Sequence, residues 1–351
     1  MSRHPLLVSL LLLPLLGAGC LSISTAPKKA AGGGVFQSTD KGATWAQKVA
    51  LPTAKGVQSI SGVDVTALAF DEQDSKALYI GTGGNGLFYS YDAGESWQRS
   101  SGMPAGNVTA IAVDPKQKCT VYAAVGNRLL KSEDCSRTFE VVYTDARNAA
   151  ILTALSVDWF ATQNVYIATE TGDLIRSNDG GATWTQVHRW DAAVKAFVIS
   201  RGDSRKMWVA TSGLGVSLSE DGGITWQDLR KTMDTFDGAR QFYAIAEDRS
   251  APGHIIHASR FGLLESADGG HTWQKVNILT PPQSVTISAL AINPKNGKEI
   301  YYTTATKLYK SKDGGVSWAT SDLPTTRIAS VFAVDPNQEN VLYLGVVAPK
   351  Q

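Results

Sequence analysis

The chain has almost no net charge to offer a polyanion: 33 Lys and Arg stand against 32 Asp and Glu. Nucleic-acid affinity is dominated by phosphate neutralisation, so this balance argues against a nucleic-acid partner. Histidine is scarce, and of His4, His188, His254, His257 and His271 only the pair at 254 and 257 is closely spaced. That pair stands at the start of a strand-like run without further ligands, so no metal centre is expected. No cofactor is expected either. The glycine-rich piece GTGGNG at 81–86 precedes no helix and carries no P-loop lysine. Three cysteines are too few for a disulfide-dense scaffold. Long helical periods are missing, and the apolar run Leu6 to Leu16 is too short to span a bilayer.

What the chain has is repetition. A serine, a spacer, an aspartate, a spacer, usually a glycine, a spacer, a Thr or Ser and an aromatic recur from Ser38, Ser90, Ser132, Ser177, Ser219, Ser266 and Ser311. The aspartates are Asp40, Asp92, Asp134, Asp179, Asp221, Asp268 and Asp313, at steps of 52, 42, 45, 42, 47 and 45 residues. Ahead of each phrase lie short runs rich in Val, Ile, Tyr and Thr, such as Val65 to Phe70, Leu78 to Gly81 and Leu87 to Ser90. Strands of that length repeated at that period predict an all-β chain folded as a β-propeller, one four-stranded blade per repeat.

The phrase makes physical sense as a turn. Its aspartate can fold back onto backbone N–H groups, its glycines supply left-handed backbone, and its tryptophan can pin the bend between sheets. One carboxylate per copy is too few for calcium, which takes several oxygen ligands at short spacing. The pattern resembles the Asp-box, or BNR repeat, of sialidases, two-propeller xyloglucanases, sortilin-type receptors and photosystem II assembly factors. That resemblance implies a fold-stabilising turn, away from the face that carries function.

The ends are expected to meet. The first phrase has one strand before it, Gly34 to Gln37, while Ile328 to Asp335 and Val341 to Val346 are two strands with no phrase after them. A first blade built from both ends makes seven blades and leaves no large exposed sheet edge. Residues 34–351 are therefore read as the propeller. Residues 1–19, with Arg3 and His4, the apolar run and Gly17, Ala18 and Gly19, have the order of a secretory leader. The G-A-G-C ending resembles a bacterial lipobox, which implies lipidation at Cys20, a tether over 20–33 and an extracytoplasmic, membrane-anchored protein. The alternative is an ordinary leader cut nearby. Cys119 and Cys135 flank a hairpin turning at Gly126 and Asn127; their positions sum to 254 against 253 for paired residues, so a disulfide is expected. It would also account for the irregular third phrase, with Cys135, Ser136 and Phe139 in place of Gly, Gly and Trp.

Recognition is expected on the face opposite the phrases, where the blade-to-blade connections run. Arg147, His188, Arg189, Trp190, Asp191, Phe236, Arg240, Arg260 and Phe261 fall there. Arginine and aromatics at this density read as a protein-binding hot spot, the alternative being ordinary solvated loops. The connection Ala50 to Asp64 is a second candidate. For catalysis, Asp145, Asp191, Asp234 and Asp237 lie on the same face, but the Arg-Ile-Pro of sialidases is missing and no arginine lies between Arg3 and Arg99. The expected function is an envelope scaffold or assembly factor that binds a membrane or envelope protein. A carbohydrate-active enzyme or glycan binder is the alternative.

Overall fold

The computed structural model of the chain describes residues 32–349, so the expected leader, Cys20 and the tether up to residue 31 lie outside the described residues. Seven four-stranded antiparallel sheets succeed one another along the chain. Their innermost strands are Ile328–Val334 in blade 1, Val65–Asp71 in blade 2, Val108–Val113 in blade 3 and Leu152–Val157 in blade 4. Val194–Ile199, Phe242–Glu247 and Ala289–Asn293 serve blades 5 to 7. The one helical element among the described residues is a 3-10 turn, Arg230–Met233. Blade 1 is composite as expected: Ile328–Val334 and Leu342–Val347 from the C-terminal side pair onto Gly34–Ser38 and Ala46–Lys48, with Gly34 opposite Val346 and Ser38 opposite Leu342. The long first step is explained by an added hairpin, Ala50–Thr53 with Gly56–Ser59, outside the blade sheets.

The core lies between blades. Second strands such as Val121–Val125, Val165–Thr169 and Met207–Thr211 are buried along their whole length, which is why they read as unbroken apolar runs. Where neighbouring blades approach most closely the second strand carries glycine. A Cβ on Gly81 would come within 2.7 Å of Val108 Cγ1, and one on Gly345 within 2.6 Å of Val65 Cγ1. Hydroxyls link the inner strands across four seams: Ser330 donates to Val65 O, Thr66 to Val108 O, Thr109 to Leu152 O and Thr153 to Val194 O. At the equivalent place blade 5 has Lys195, whose ammonium turns to Glu170 at 3.4 Å, and blade 6 has Tyr243.

Each repeated phrase folds as one turn held by its own side chains. The serine hydroxyl donates to the aspartate Oδ1 and accepts the N–H four residues on at 2.7–2.9 Å. The aspartate in turn accepts the N–H and hydroxyl of the Thr or Ser four places after it, as Asp40 does from Thr44 at 2.8 and 2.6 Å. Those donors hold Asp40, Asp134, Asp221 and Asp313 at a pKa of about 2. Tryptophans latch one blade to the last: Trp97 Nε1 donates to Lys48 O, Trp184 Nε1 to Val142 O and Trp318 Nε1 to Asn277 O.

The residue after each aspartate also donates its N–H to the loop between first and second strands of the same blade: Lys41 to Asn340, Ala93 to Lys76, Gly180 to Gln163, Gly222 to Arg205, Gly269 to Gly253 and Gly314 to Lys298. Phrases and first-to-second-strand loops therefore share one face. In blade 3 the same contact is Cys135 N–H to Cys119 O, 3.2 Å, and here the disulfide Cys119–Cys135 joins the two residues covalently. Cys135 and Ser136, at φ 61° and 66°, occupy left-handed backbone; glycine takes the second of these positions in every other copy and the first in four of them, with Lys41 and Ala93 there in copies one and two.

Candidate functional site

On the connection face the nine residues expected to bind a partner fall into separate groups. Arg147, at the start of blade 4, donates through Nη2 to Asp145 Oδ2 at 2.8 Å and to Asp173 Oδ2 at 2.7 Å. Arg189 reaches Asp173 Oδ1 at 3.3 Å. Both carboxylates are buried, and the Arg147 hydrogen bonds hold Asp145 at about 2. Phe236 and Phe261 form an edge-to-face pair with centroids 5.2 Å apart. Beside them Arg240 pairs with Asp234 at 3.0 Å, Asp237 accepts from Gln283 at 2.7 Å, and Arg260 and Asp191 are exposed.

Trp190 requires a correction. It is only 8% exposed, packs between blades 4 and 5 against Trp226 and His188, and donates Nε1 to Ser217 Oγ at 3.0 Å. Its place in a connection made it look accessible, but an indole satisfied inside a blade seam is no docking anchor. His188 is half-buried in the same stack, and burial lowers its pKa.

Between the two groups, at the seam of blades 5 and 6, lies a hollow of about 500 Å³ lined by Lys195, Ser212, Gly213, Gln241, Phe242 and Tyr243. Lys195 and Tyr243 are the residues that replace the inter-strand hydroxyl, so the hollow opens where that link is lost. Sequence reading passed over both, although the break in the Thr, Thr, Thr series at 66, 109 and 153 was there to see.

A second repeat governs the other face. Every inner strand ends in an Asp, Asn or Ser whose side chain accepts the N–H two residues on: Asp71, Asp114, Asp158, Ser200, Asp248, Asn293 and Asp335. The residue immediately after each cap lines the central channel: Glu72, Pro115, Trp159, Arg201, Arg249, Pro294 and Pro336. The cavity behind this ring measures about 420 Å³. Glu72 of blade 2 spans the channel to Arg201 of blade 5 at 2.8 Å and Arg249 of blade 6 at 3.1 Å, both on its Oε1. Arg201 also lies 4.3 Å from the Trp159 ring centre, and its backbone N–H donates to Glu247 Oε2 at 2.9 Å. These residues belong to the phrase face, away from the connections where recognition is expected. Among the described residues no group of three or more His, Cys, Asp or Glu is placed to hold a metal ion.

The fold defines a class, the seven-bladed β-propellers, and the chain is similar to several known proteins that contain one. No family model matches the chain. Xyloglucanase Xgh74A of Acetivibrio thermocellus is 26% identical over 272 residues, covering 70% of this chain and 29% of that enzyme. This chain thus spans about three tenths of the length of that relative. Among solved structures, the GH74 xyloglucanase from Xanthomonas campestris superposes with a TM-score of 0.67 at 19% identity, over 81% of this chain and 51% of that one. YCF48 bound to D1 peptide superposes at 0.63 and 15% identity, over 81% and 94%. At these identities the structural likeness shows the fold.

Proposed function

We propose that this protein is a lipid-anchored, extracytoplasmic propeller that binds an envelope or membrane protein through its connection face and carries out no chemistry there. The observation that carries this reading is the state of that face's charged groups. Arg189, Arg240 and Arg260 stand exposed there, while the buried carboxylates Asp145 and Asp173 are tied to arginine. A carboxyl held at about 2 by a guanidinium carries no proton at neutral pH and so cannot act as a general acid. The likeness to a propeller bound to a peptide supports the same use of the ring. The repeated turn, read as an Asp-box, then serves as the clasp of each blade.

The reading is tested by capturing partners from detergent-solubilised membranes with the full-length protein and with Arg260→Glu. One envelope protein should be retained by the wild type and lost from the variant at unchanged melting temperature. Equal retention by both would refute the assignment of this face. Lipidation at Cys20 is tested by detergent-phase partitioning, which Cys20→Ala should abolish.

A second reading rests on the 26% identity to a xyloglucanase: a glycan-binding or glycan-cleaving propeller that uses the exposed Asp191 or Asp237. Release of reducing ends from xyloglucan oligosaccharides, lost on Asp191→Asn or Asp237→Asn, would support it.

A further inference from the structure

Six blades close their repeated turn onto the loop between first and second strands with one backbone hydrogen bond of 2.9–3.0 Å. In blade 3 the same bond, Cys135 N–H to Cys119 O, is longer, 3.2 Å, and a disulfide is added. The contact does not require a covalent link. Cys119 stands at φ 73°, in left-handed backbone that its counterparts Asn340, Lys76, Gln163, Arg205 and Lys298 do not adopt; the sixth counterpart, Gly253, takes it at φ 91° without a Cβ. A side chain in that conformation is strained and stays there only because its surroundings hold it, here through the disulfide. The loop so held, residues 114–120, is a junction of three blades. Lys116 Nζ donates to Phe160 O of blade 4 at 2.6 Å, Lys118 pairs with Asp74 of blade 2 at 3.2 Å, and Gln73 of blade 2 donates to Asp114 O at 3.3 Å. Pro115 of the same loop lines the channel mouth, and both cysteines are partly exposed.

We propose that Cys119–Cys135 is a redox-sensitive latch, opened by a dithiol through thiol–disulfide exchange while the propeller stays folded. One thiolate of the dithiol attacks a sulfur of the bridge, and the other cysteine leaves as a thiolate. The donor's second thiol then displaces the mixed disulfide, so the donor ends oxidised to a disulfide and the two cysteines take up its two electrons and two protons. Strain and exposure both make such a bond easier to reduce than a buried structural one. With the bond gone, Cys119 is free to take the right-handed backbone of its counterparts, and loop 114–120 loosens at one edge of the channel mouth. The turn itself persists, because Ser132, Asp134 and Thr138 make the same hydrogen bonds as in the other copies. The remaining six turns are closed by hydrogen bonds, which a thiol does not break.

The test is to treat the folded full-length protein with dithiothreitol, a small dithiol, without denaturant, and to follow it by alkylation mapped on peptides and by amide hydrogen exchange. Both Cys119 and Cys135 should become alkylated while thermal melting stays cooperative. Amides of 114–120 should then exchange faster by about tenfold or more, the factor that strain of this kind amounts to, and those of the equivalent blade 6 loop, 248–254, should not change. Cys119→Ser/Cys135→Ser should show the fast exchange with and without dithiothreitol, which separates loss of the bond from any other effect of the reagent. Three results overturn the proposal: a bridge that resists dithiothreitol until denaturant is added, reduction that speeds exchange throughout the ring, or reduction that leaves exchange in 114–120 unchanged.

Discussion

The serine that opens each repeated turn is buried, while the aspartate two places on remains near the surface, so the two respond differently to substitution. Ser177 Oγ accepts the N–H groups of both Asp179 and Gly181. Ser177→Ala strips a buried N–H of its partner and should cost about 1–3 kcal/mol, read from the denaturant midpoint. The aspartates act through pH. Their folded pKa values lie below the ordinary carboxyl value, so their contribution is complete above about pH 4 and is lost as pH falls towards 2. His257 acts earlier. It is buried with Nε2 donating to Ala239 O at 2.8 Å, and burial pushes its pKa down to about 4. The unfolded chain binds a proton near pH 6.5 that the folded chain refuses, so stability drops by roughly 3 kcal/mol between pH 6.5 and 4. Urea midpoints measured from pH 7 to 2 should fall in these two stages, and His257→Leu should flatten the first while leaving the second. A single stage below pH 4 in the wild type would contradict the role given to His257.

At the scale of strands, four inner seams are joined by hydroxyl-to-carbonyl bonds and the other three, that between blades 5 and 6 among them, are not. Thr109→Val should therefore cost about 1 kcal/mol, and native-state hydrogen exchange should show Phe242–Glu247 opening at lower free energy than Val108–Val113. Equal protection of the two strands would remove the structural reason for the hollow at that seam. The strands themselves were legible in sequence because each blade repeats one pattern; Val65–Asp71 and Leu87–Ser90 lie within a residue of their expected bounds. The Cys119–Cys135 pairing was legible as well, because a hairpin fixes which residues face each other. Legibility ended at the connections. Trp190 shares their composition but turns inward, and no local pattern distinguishes an indole lying in a blade seam from one lying on it.

For the whole molecule, closure was readable because two strands at one end lacked a phrase and one strand at the other lacked a partner. What the ring encloses was not. Glu72, Arg201 and Arg249 are 129 and 177 residues apart along the chain, and only the completed circle sets them across one channel. The repeated cap at Asp71, Asp114, Asp158, Ser200, Asp248, Asn293 and Asp335 was visible as a residue type after each inner strand. Its consequence, a ring of side chains around the mouth, depends on seven blades closing. The phrase face thus carries both the clasps that hold each blade and the charged rim of the channel, and the connection face carries the exposed arginines.

The claim that this ring binds and does not cleave is tested most directly by incubating the purified full-length protein with xyloglucan oligosaccharides and measuring new reducing ends. The account predicts none above the background of a heat-denatured control, for the wild type and for Asp191→Asn and Asp237→Asn alike. Steady release by the wild type that either substitution abolishes would contradict it.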